Sequence, residues 1–106
     1  MVTIYRLLIE GRECKSHGKE KVAQLLAEIA NTAKLPIVES KIYDELENEL
    51  IVQIIAMGGY VICYIWPLEE NFFNLEMFSR KDFNKDKIKR ACEIFFAPKY
   101  LITKKA

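Results

Sequence analysis

The chain has 106 residues and a formal net charge of +1 at pH 7. This length is typical of one domain, so we predict a single domain over residues 1–106. The charge balance, with a pI of about 7.7, gives no support for a protein that binds nucleic acids or acidic surfaces through its overall charge. Hydrophobic residues make up 51% of the chain, which is enough for one core and argues against a disordered protein.

Cysteine usage and hydropathy indicate the compartment. The three cysteines, Cys14, Cys63 and Cys92, are odd in number and widely spaced, which predicts reduced thiols in a cytoplasmic protein rather than a disulfide framework. No apolar run approaches the roughly 18 residues of a membrane-spanning helix. The first residues also lack the basic and apolar regions of an export signal. We therefore expect a cytoplasmic protein with no membrane partner.

The first half of the chain predicts a strand, a helix and a second strand. Residues 2–10 mix alternation with a short apolar run and predict the first strand. Apolar residues recur at helical spacing over residues 19–34, and Ser16 is a candidate N-cap for this helix. Residues 36–43 predict the next strand, and the acidic segment 44–49 predicts the turn that follows it.

The middle of the chain predicts a meander of three strands. Residues 50–57 are rich in β-branched side chains and predict a buried strand. The pair Gly58-Gly59 predicts a two-residue hairpin turn, after which residues 60–66 return alongside the previous strand. Residues 72–79 predict the third strand.

The last part of the chain predicts a helix and a short strand. Asn84 is a candidate N-cap for a helix over residues 85–97, which Pro98 ends. Residues 99–103 predict the final strand. The predicted order is β-α-β-β-β-β-α-β, which favours an α+β fold: a two-layer αβ sandwich with a mostly antiparallel sheet and both helices on one face. Because the central strands are apolar on both sides, we expect a second copy of the chain to cover the other face.

The segment from Gly58 to Pro67, GGYVICYIWP, resembles a hairpin of the prokaryotic S-adenosylmethionine decarboxylase family, which reads approximately ESHLxIHTWPE. The Trp66-Pro67 pair is the part that is retained. YRLLIEGREC, KEKVAQLLAEIANTA, PIVESKIY, FFNLEMFS and DFNKDKIKRACEIF are similar, in the same order, to further elements of the family. The resemblance implies an αβ homodimer whose self-cleavage at a serine creates a pyruvoyl group, the electron sink for loss of CO2.

The positions that carry the family's reaction are changed in this chain. The serine that becomes the pyruvoyl matches Gly59, and the glutamate before it matches Gly58. The processing histidine matches Tyr64, the product-protonating cysteine matches Arg80, and the adenine-stacking aromatic matches Ile42. Glycine has no hydroxyl that could attack the preceding carbonyl. We therefore expect no self-cleavage, no pyruvoyl cofactor and no catalytic residue of the family's kind.

Candidate ligand-binding residues are aromatic or acidic, and they lie on or near the predicted hairpin: Tyr43, Tyr60, Tyr64, Trp66, Glu69 and Glu76. Glu69 is displaced by one residue from the family's glutamate after Trp-Pro, and Glu76 matches an aspartate of the family. Alternation places Tyr60, Tyr64 and Trp66 on one strand face. Such a face also suits sheet packing or a dimer interface, where Tyr and Trp are favoured.

Three further patterns have simpler explanations. Glu39-Ser40 is the only Glu-Ser pair, but it lies in the strand after the first helix, where a polar side of an edge strand is expected. Cys14-x-x-His17 has half of a zinc-ligand spacing and no second pair, so we expect no metal site. Residues 80–90 are rich in Lys and Arg without an RNA-binding aromatic motif, so we expect a solvated helix start and no nucleic-acid partner.

We thus expect a non-catalytic protein with a regulatory or ligand-binding role linked to polyamine (spermidine) metabolism. Its ligand would be S-adenosylmethionine or a polyamine, and its partner a second copy or an active paralogue. One alternative is an active lyase that uses Glu69, Glu76 or Tyr64 for acid-base chemistry. Another is a generic αβ binding module that contacts RNA through residues 80–90.

Overall fold

The computed structural model describes residues 3–104. It has six strands and two helices in the predicted order. Their bounds are β1 Tyr5–Arg12, α1 Lys19–Thr32, β2 Ile37–Leu46, β3 Glu49–Ala56, β4 Gly59–Trp66, β5 Phe72–Ser79, α2 Lys85–Phe96 and β6 Tyr100–Lys104.

The six strands form one sheet in the order β2-β3-β4-β5-β1-β6, and every pairing is antiparallel. Strands β3, β4 and β5 are the predicted meander, and β1 inserts between β5 and β6. Both helices pack on one face of this sheet, and the opposite face is called the outer face below. The predicted α+β two-layer sandwich is therefore confirmed.

The core lies between the helices and the inner face of the sheet. Alternate residues of β4 point into it, and Val61, Cys63 and Ile65 are buried. Helix α1 contributes the apolar stripe that its spacing predicts, and α2 contributes Phe96, whose ring stacks on Phe73 at 4.0 Å between centroids. The period of two in the strands and of 3.6 in the helices thus produces one continuous core.

Two turns differ from the sequence predictions. The β3–β4 turn consists of Met57 and Gly58, and Gly59 is already the first residue of β4, paired with Ala56. Gly58 has a φ of 87°, the left-handed value that the second central residue of a type II turn requires. The acidic segment predicted as a turn is mostly strand, because β2 continues to Leu46.

One predicted helix cap is wrong and the other is confirmed. Gly18, not Ser16, is the N-cap residue of α1, and no side chain caps this end. Asn84 caps α2, since its Oδ1 accepts a hydrogen bond from the amide of Lys87 at 3.1 Å. Helix α2 ends at Phe96, because the next residue, Ala97, has a left-handed φ of 43° that stops the helix before Pro98.

Candidate functional site

The outer face carries the predicted aromatic residues of β4. Tyr60, Ile62, Tyr64 and Trp66 alternate with the buried core residues and are half-buried on this face. Together with their cross-strand partners, these aromatic residues form two groups at opposite ends of β4. One group surrounds Trp66, and the other lies near Gly59.

An aromatic cluster surrounds Trp66. The Tyr64 and Trp66 rings are stacked with centroids 5.8 Å apart, and the Trp66 and Phe72 centroids are 5.4 Å apart. Trp66 and Phe72 are paired residues of β4 and β5, so their side chains stand on the same face. The guanidinium of Arg12 lies over the Phe72 ring, 5.6 Å from its centroid, which is a cation–π geometry.

An open cleft of about 620 Å³ adjoins this cluster. Aromatic, acidic and basic side chains meet in its wall: Arg12, Trp66, Leu68, Glu69, Glu70 and Phe72. Leu68 is 78% exposed, so an apolar side chain is available to a ligand there. The combination of aromatic surface with a few charged groups is typical of small-molecule sites.

The loop between β4 and β5 fixes the acidic residues of the cleft. The amide of Glu69 donates to the carbonyl of Trp66 at 3.1 Å, and the amide of Phe72 donates to the carbonyl of Glu69 at 3.1 Å. Glu70 and Asn71 both have left-handed backbones, with φ of 57° and 52°. Residues other than glycine rarely have φ in this region, and those that do cluster at functional sites. The loop is therefore a constrained turn that presents the Glu69 and Glu70 carboxylates beside the aromatic cluster.

The charges of the cleft suit a ligand that carries both signs. Arg12 offers a guanidinium that can bind a carboxylate with two hydrogen bonds. Glu69 and Glu70 offer carboxylates for an ammonium or another cation, and the rings of Trp66 and Phe72 can stack on a planar group. This arrangement can bind and orient an amphipathic zwitterion.

The Gly59 end of β4 is tightly packed. A Cβ atom at position 59 would overlap the carbonyl oxygen of Phe78 and would lie 3.1 Å from Leu35 Cδ1. The amide of Arg80 donates to the carbonyl of Gly58 at 2.8 Å, which holds the neighbouring strand against this turn. The structure thus places Arg80 beside the Gly58-Gly59 pair, and a side chain at position 59 would require the β5 backbone to shift. These are the positions at which the sequence resemblance predicts the family's cysteine and serine.

A second aromatic group lies on the outer face near this end. The Tyr60 and Phe78 rings are stacked at 5.3 Å, and the Tyr60 hydroxyl donates to Glu76 Oε1 at 3.2 Å. Partial burial, with the nearby Glu76 carboxylate, raises the pKa of Tyr60. Arg6 lies over the Phe78 ring, 5.8 Å from its centroid. In this group the Tyr60 hydroxyl is paired with Glu76, and the Phe78 ring packs against both Tyr60 and Arg6.

The remaining candidates do not join the cleft. Tyr43 is on β2, opposite Ile51, and contacts a shallow depression at the tip of the β2–β3 hairpin. Tyr64 is five residues from Gly59 along β4, about 16 Å at the usual strand rise. Five residues is also an odd number, so Tyr64 faces the outer side while position 59 faces the helices. Glu76 is bonded to Tyr60 in the second aromatic group, whereas Glu69 lines the cleft.

The thiols and the single histidine are part of the packing. Burial raises the pKa of Cys14 to about 11 and of Cys92 to about 12, and raises the pKa of Cys63 well above its ordinary value. A thiol that stays protonated is a poor nucleophile. His17 stacks on Phe95, and its Nε2 lies 2.6 Å from the Phe95 carbonyl oxygen. Within residues 3–104, no group of three or more His, Cys, Asp or Glu residues could hold a metal ion.

Sequence reasoning did not identify Arg12 or Phe72 as residues of the cleft. Arg12 reaches it because β1 pairs with β5, a contact between segments about 60 residues apart that local patterns do not reveal. For Phe72, the sequence did contain a usable pattern: Phe72 precedes the buried Phe73 in β5, and alternation along a strand places Phe72 on the outer face. None of the helices in the described part of the chain is long and apolar enough to cross a membrane.

Comparison with solved structures identifies the fold. The structure is similar to the crystal structure of the adenosylmethionine decarboxylase from Aquifex aeolicus VF5, with a TM-score of 0.77. The match covers 99% of this chain and 89% of that chain, at 14% sequence identity. The chain has an adenosylmethionine decarboxylase-like fold. No family model and no curated protein matches the sequence.

Proposed function

We propose that this protein is a non-catalytic member of the adenosylmethionine decarboxylase-like fold that does not cleave itself and binds a ligand in the cleft at Trp66. Its role would be regulatory and linked to polyamine metabolism. The observation that carries the proposal is the packing at Gly59. The position that matches the self-cleaving serine lacks the hydroxyl, and it is enclosed by the Phe78 carbonyl and Leu35.

The space around Gly59 is a second obstacle to self-cleavage, in addition to the missing hydroxyl. An N-to-O acyl shift needs an oxygen placed beside the preceding carbonyl carbon, with space for a tetrahedral intermediate. At Gly59 the β5 backbone occupies the space into which a side chain would project. Without cleavage no pyruvoyl group forms, and decarboxylation of an amino acid then has no electron sink of that kind. The packing therefore supports a binding role over a catalytic one.

S-adenosylmethionine is the ligand that fits the cleft charges better than a polyamine. Its amino acid part carries a carboxylate for Arg12 and an ammonium group for Glu69 or Glu70. Its adenine can stack on Trp66 or Phe72, as base–aromatic pairs do elsewhere. A polyamine would satisfy the two carboxylates but would bring a like charge to Arg12. The enzyme with the similar fold is named for adenosylmethionine, which supports the same choice.

Trp66 is the only tryptophan in the chain, so its fluorescence reports directly on the cleft. Titration with S-adenosylmethionine should quench or shift this emission in a saturable way. Spermidine at the same concentrations should have a weaker effect. An emission spectrum that S-adenosylmethionine leaves unchanged, with no heat of binding by calorimetry, would contradict the ligand assignment.

Catalysis is tested separately with carboxyl-labelled S-adenosylmethionine. We expect no labelled CO2 above the rate without protein, even when the cleft is saturated. If the release of CO2 rises in proportion to the concentration of the uncleaved chain, the protein is an active decarboxylase instead.

The outer face supports a partner subunit as part of the same proposal. Half-buried apolar side chains cover much of its centre: Leu8, Ile51, Ile55, Ile62, Tyr64, Phe72 and Phe78. The exposed Glu76, which is paired with both Leu8 and Ile62, is the charged residue among them. Sheet faces of this kind pack against another sheet at about 10 Å. We propose a homodimer through this face, and an active paralogue is the other partner that would fit it.

The partner proposal is tested with two neighbouring residues of the outer face. Ile62 and Gln53 are paired across β4 and β3 and are both half-buried. Ile62→Glu should shift the sedimentation coefficient of a dimer toward that of a monomer, while Gln53→Glu should have a smaller effect. A wild-type protein that sediments as a monomer at high concentration would contradict the homodimer.

A further inference from the structure

Strand β2 is an unusually exposed sheet edge. It is ten residues long, pairs with β3 on one side, and every residue in it is exposed. Several of these residues are apolar, with Val38 65% and Leu46 62% exposed. Natural proteins usually shorten or block such edges, because unpaired backbone groups attract other strands. Within residues 3–104, the other edge strand of the sheet, β6, has five residues.

The sequence of β2 is complementary to itself in the antiparallel direction. If Ser40 lies opposite Ser40 of a second copy, Glu39 lies opposite Lys41 and Lys41 opposite Glu39. One step further out, Ile42 meets Val38. The segment from Glu39 to Tyr43 pairs with β3 without irregularity, so the backbone is regular at Glu39, Ser40 and Lys41, the centre of this pairing. The irregularity of β2 between Ile37 and Glu39 lies at the outer pair, next to Val38. Opposite charges that face each other across paired strands stabilise the pair.

The same charges disfavour the neighbouring registers. Pairing displaced by two residues toward the C-terminus places Lys41 opposite Lys41, and displacement toward the N-terminus places Glu39 opposite Glu39. Like charges directly opposite each other are destabilising. A lysine on an edge strand ordinarily prevents pairing with other strands. Here Lys41 would instead select a copy of its own strand in one register.

We propose that the β2 edge pairs with β2 of a second copy about a two-fold axis at Ser40, which would join the two sheets into one continuous sheet. The inference does not rest on the proposed function. It uses the edge of the sheet rather than its outer face, so both interfaces can form in one assembly. Isologous pairing of this kind closes on itself and leaves no free β2 edge for further growth.

Cross-linking tests the position of the axis. Residues directly opposite in an antiparallel pair have Cα atoms about 4.5–5.5 Å apart, which a disulfide can span. Under mild oxidation Ser40→Cys should therefore form a disulfide-linked dimer. In the control Tyr43→Cys the two thiols would be about 20 Å apart along the strands, and no dimer should form. The native cysteines are buried and contribute little background.

A charge exchange in the Ser40→Cys chain tests the register. Adding Lys41→Glu puts glutamates opposite each other at both pairs, and cross-linking should slow by about tenfold. Adding Glu39→Lys to that variant recreates the complementary pairs with the signs reversed, and cross-linking should recover. The proposal is overturned if Ser40→Cys does not link, if Tyr43→Cys links equally well, or if the double exchange does not recover.

Discussion

The two ends of strand β4 differ in how much space surrounds them. At Gly59 the Phe78 carbonyl and Leu35 leave no volume for a side chain, while at Trp66 an open cleft of about 620 Å³ borders aromatic and charged groups. The residues that resemble the decarboxylase family, Trp66-Pro67, stand at the open end. The positions where the family's chemistry would begin are at the closed end. Under the proposed function, ligand binding and the loss of self-cleavage belong to opposite ends of one strand.

The closed end gives the largest expected effect. Gly59→Ser should lower the free energy of unfolding by about 2–3 kcal/mol, because a Cβ there must displace the β5 backbone. The matched control is Gly18→Ser at the N-cap of α1, where an added Cβ has only Glu20 Oε2 nearby at 3.8 Å. Serine is a preferred N-cap residue, so this control should be neutral or slightly stabilising. Urea unfolding of both variants measures the difference, and equal stabilities would refute the packing argument.

The buried thiol of Cys92 predicts a loss of stability at high pH. Its pKa is about 12 in the folded protein and about 9.0 when unperturbed. Between these values the unfolded chain loses the thiol proton and the folded chain keeps it, so stability falls as pH rises. The loss from this group is about 1.4 kcal/mol per pH unit. Urea unfolding at pH 8 and pH 10.5 should show a larger fall in the free energy of unfolding for the wild type than for Cys92→Ala. Equal falls in the two proteins would mean that the buried Cys92 thiol does not cause the loss of stability.

At the open end, Glu69→Gln should weaken S-adenosylmethionine binding about fivefold, which corresponds to about 1 kcal/mol for one exposed charge pair. Glu76→Gln is the matched control, because Glu76 is paired with Tyr60 outside the cleft. Trp66 fluorescence measures both dissociation constants. Equal weakening by the two variants would mean that the ligand does not contact the cleft at Glu69.

The hydrogen bond on the outer face gives the smallest expected effect. Tyr60→Phe removes the hydroxyl that donates to Glu76, and should lower the free energy of unfolding by about 0.5 kcal/mol because the pair is exposed. Tyr64→Phe is the comparison on the same strand face, and its hydroxyl makes no hydrogen bond among residues 3–104. Thermal unfolding should separate the two variants by a small amount. If Tyr64→Phe lowered the free energy of unfolding more than Tyr60→Phe, the Tyr60–Glu76 hydrogen bond would not be the stabilising contact on this face.

The fold was largely predictable from the sequence, because its elements have strong local signals. The helical spacing from Val22 to Ala33 and the alternation over β4 predicted which side chains are buried. The errors lie at the ends of elements: Ser16 was wrongly predicted as a cap, and Gly59 as a turn residue. Both errors arise because turn and cap geometry depend on backbone angles that several residue types can adopt.

The cleft was only partly predictable. Trp66 and Glu69 were named because they flank Pro67, but Arg12 and Phe72 enter through the pairing of β1 with β5. That pairing forms between distant segments and has no signature within either one. The enclosure of Gly59 was also invisible, since it depends on how closely β5 approaches the start of β4.

The intact mass of the purified protein tests the central claim most directly. We expect one species of 12.4 kDa with a free amino terminus, unchanged after long incubation at neutral pH. Two fragments from the wild-type chain, one of them with a blocked N-terminus, would contradict the account.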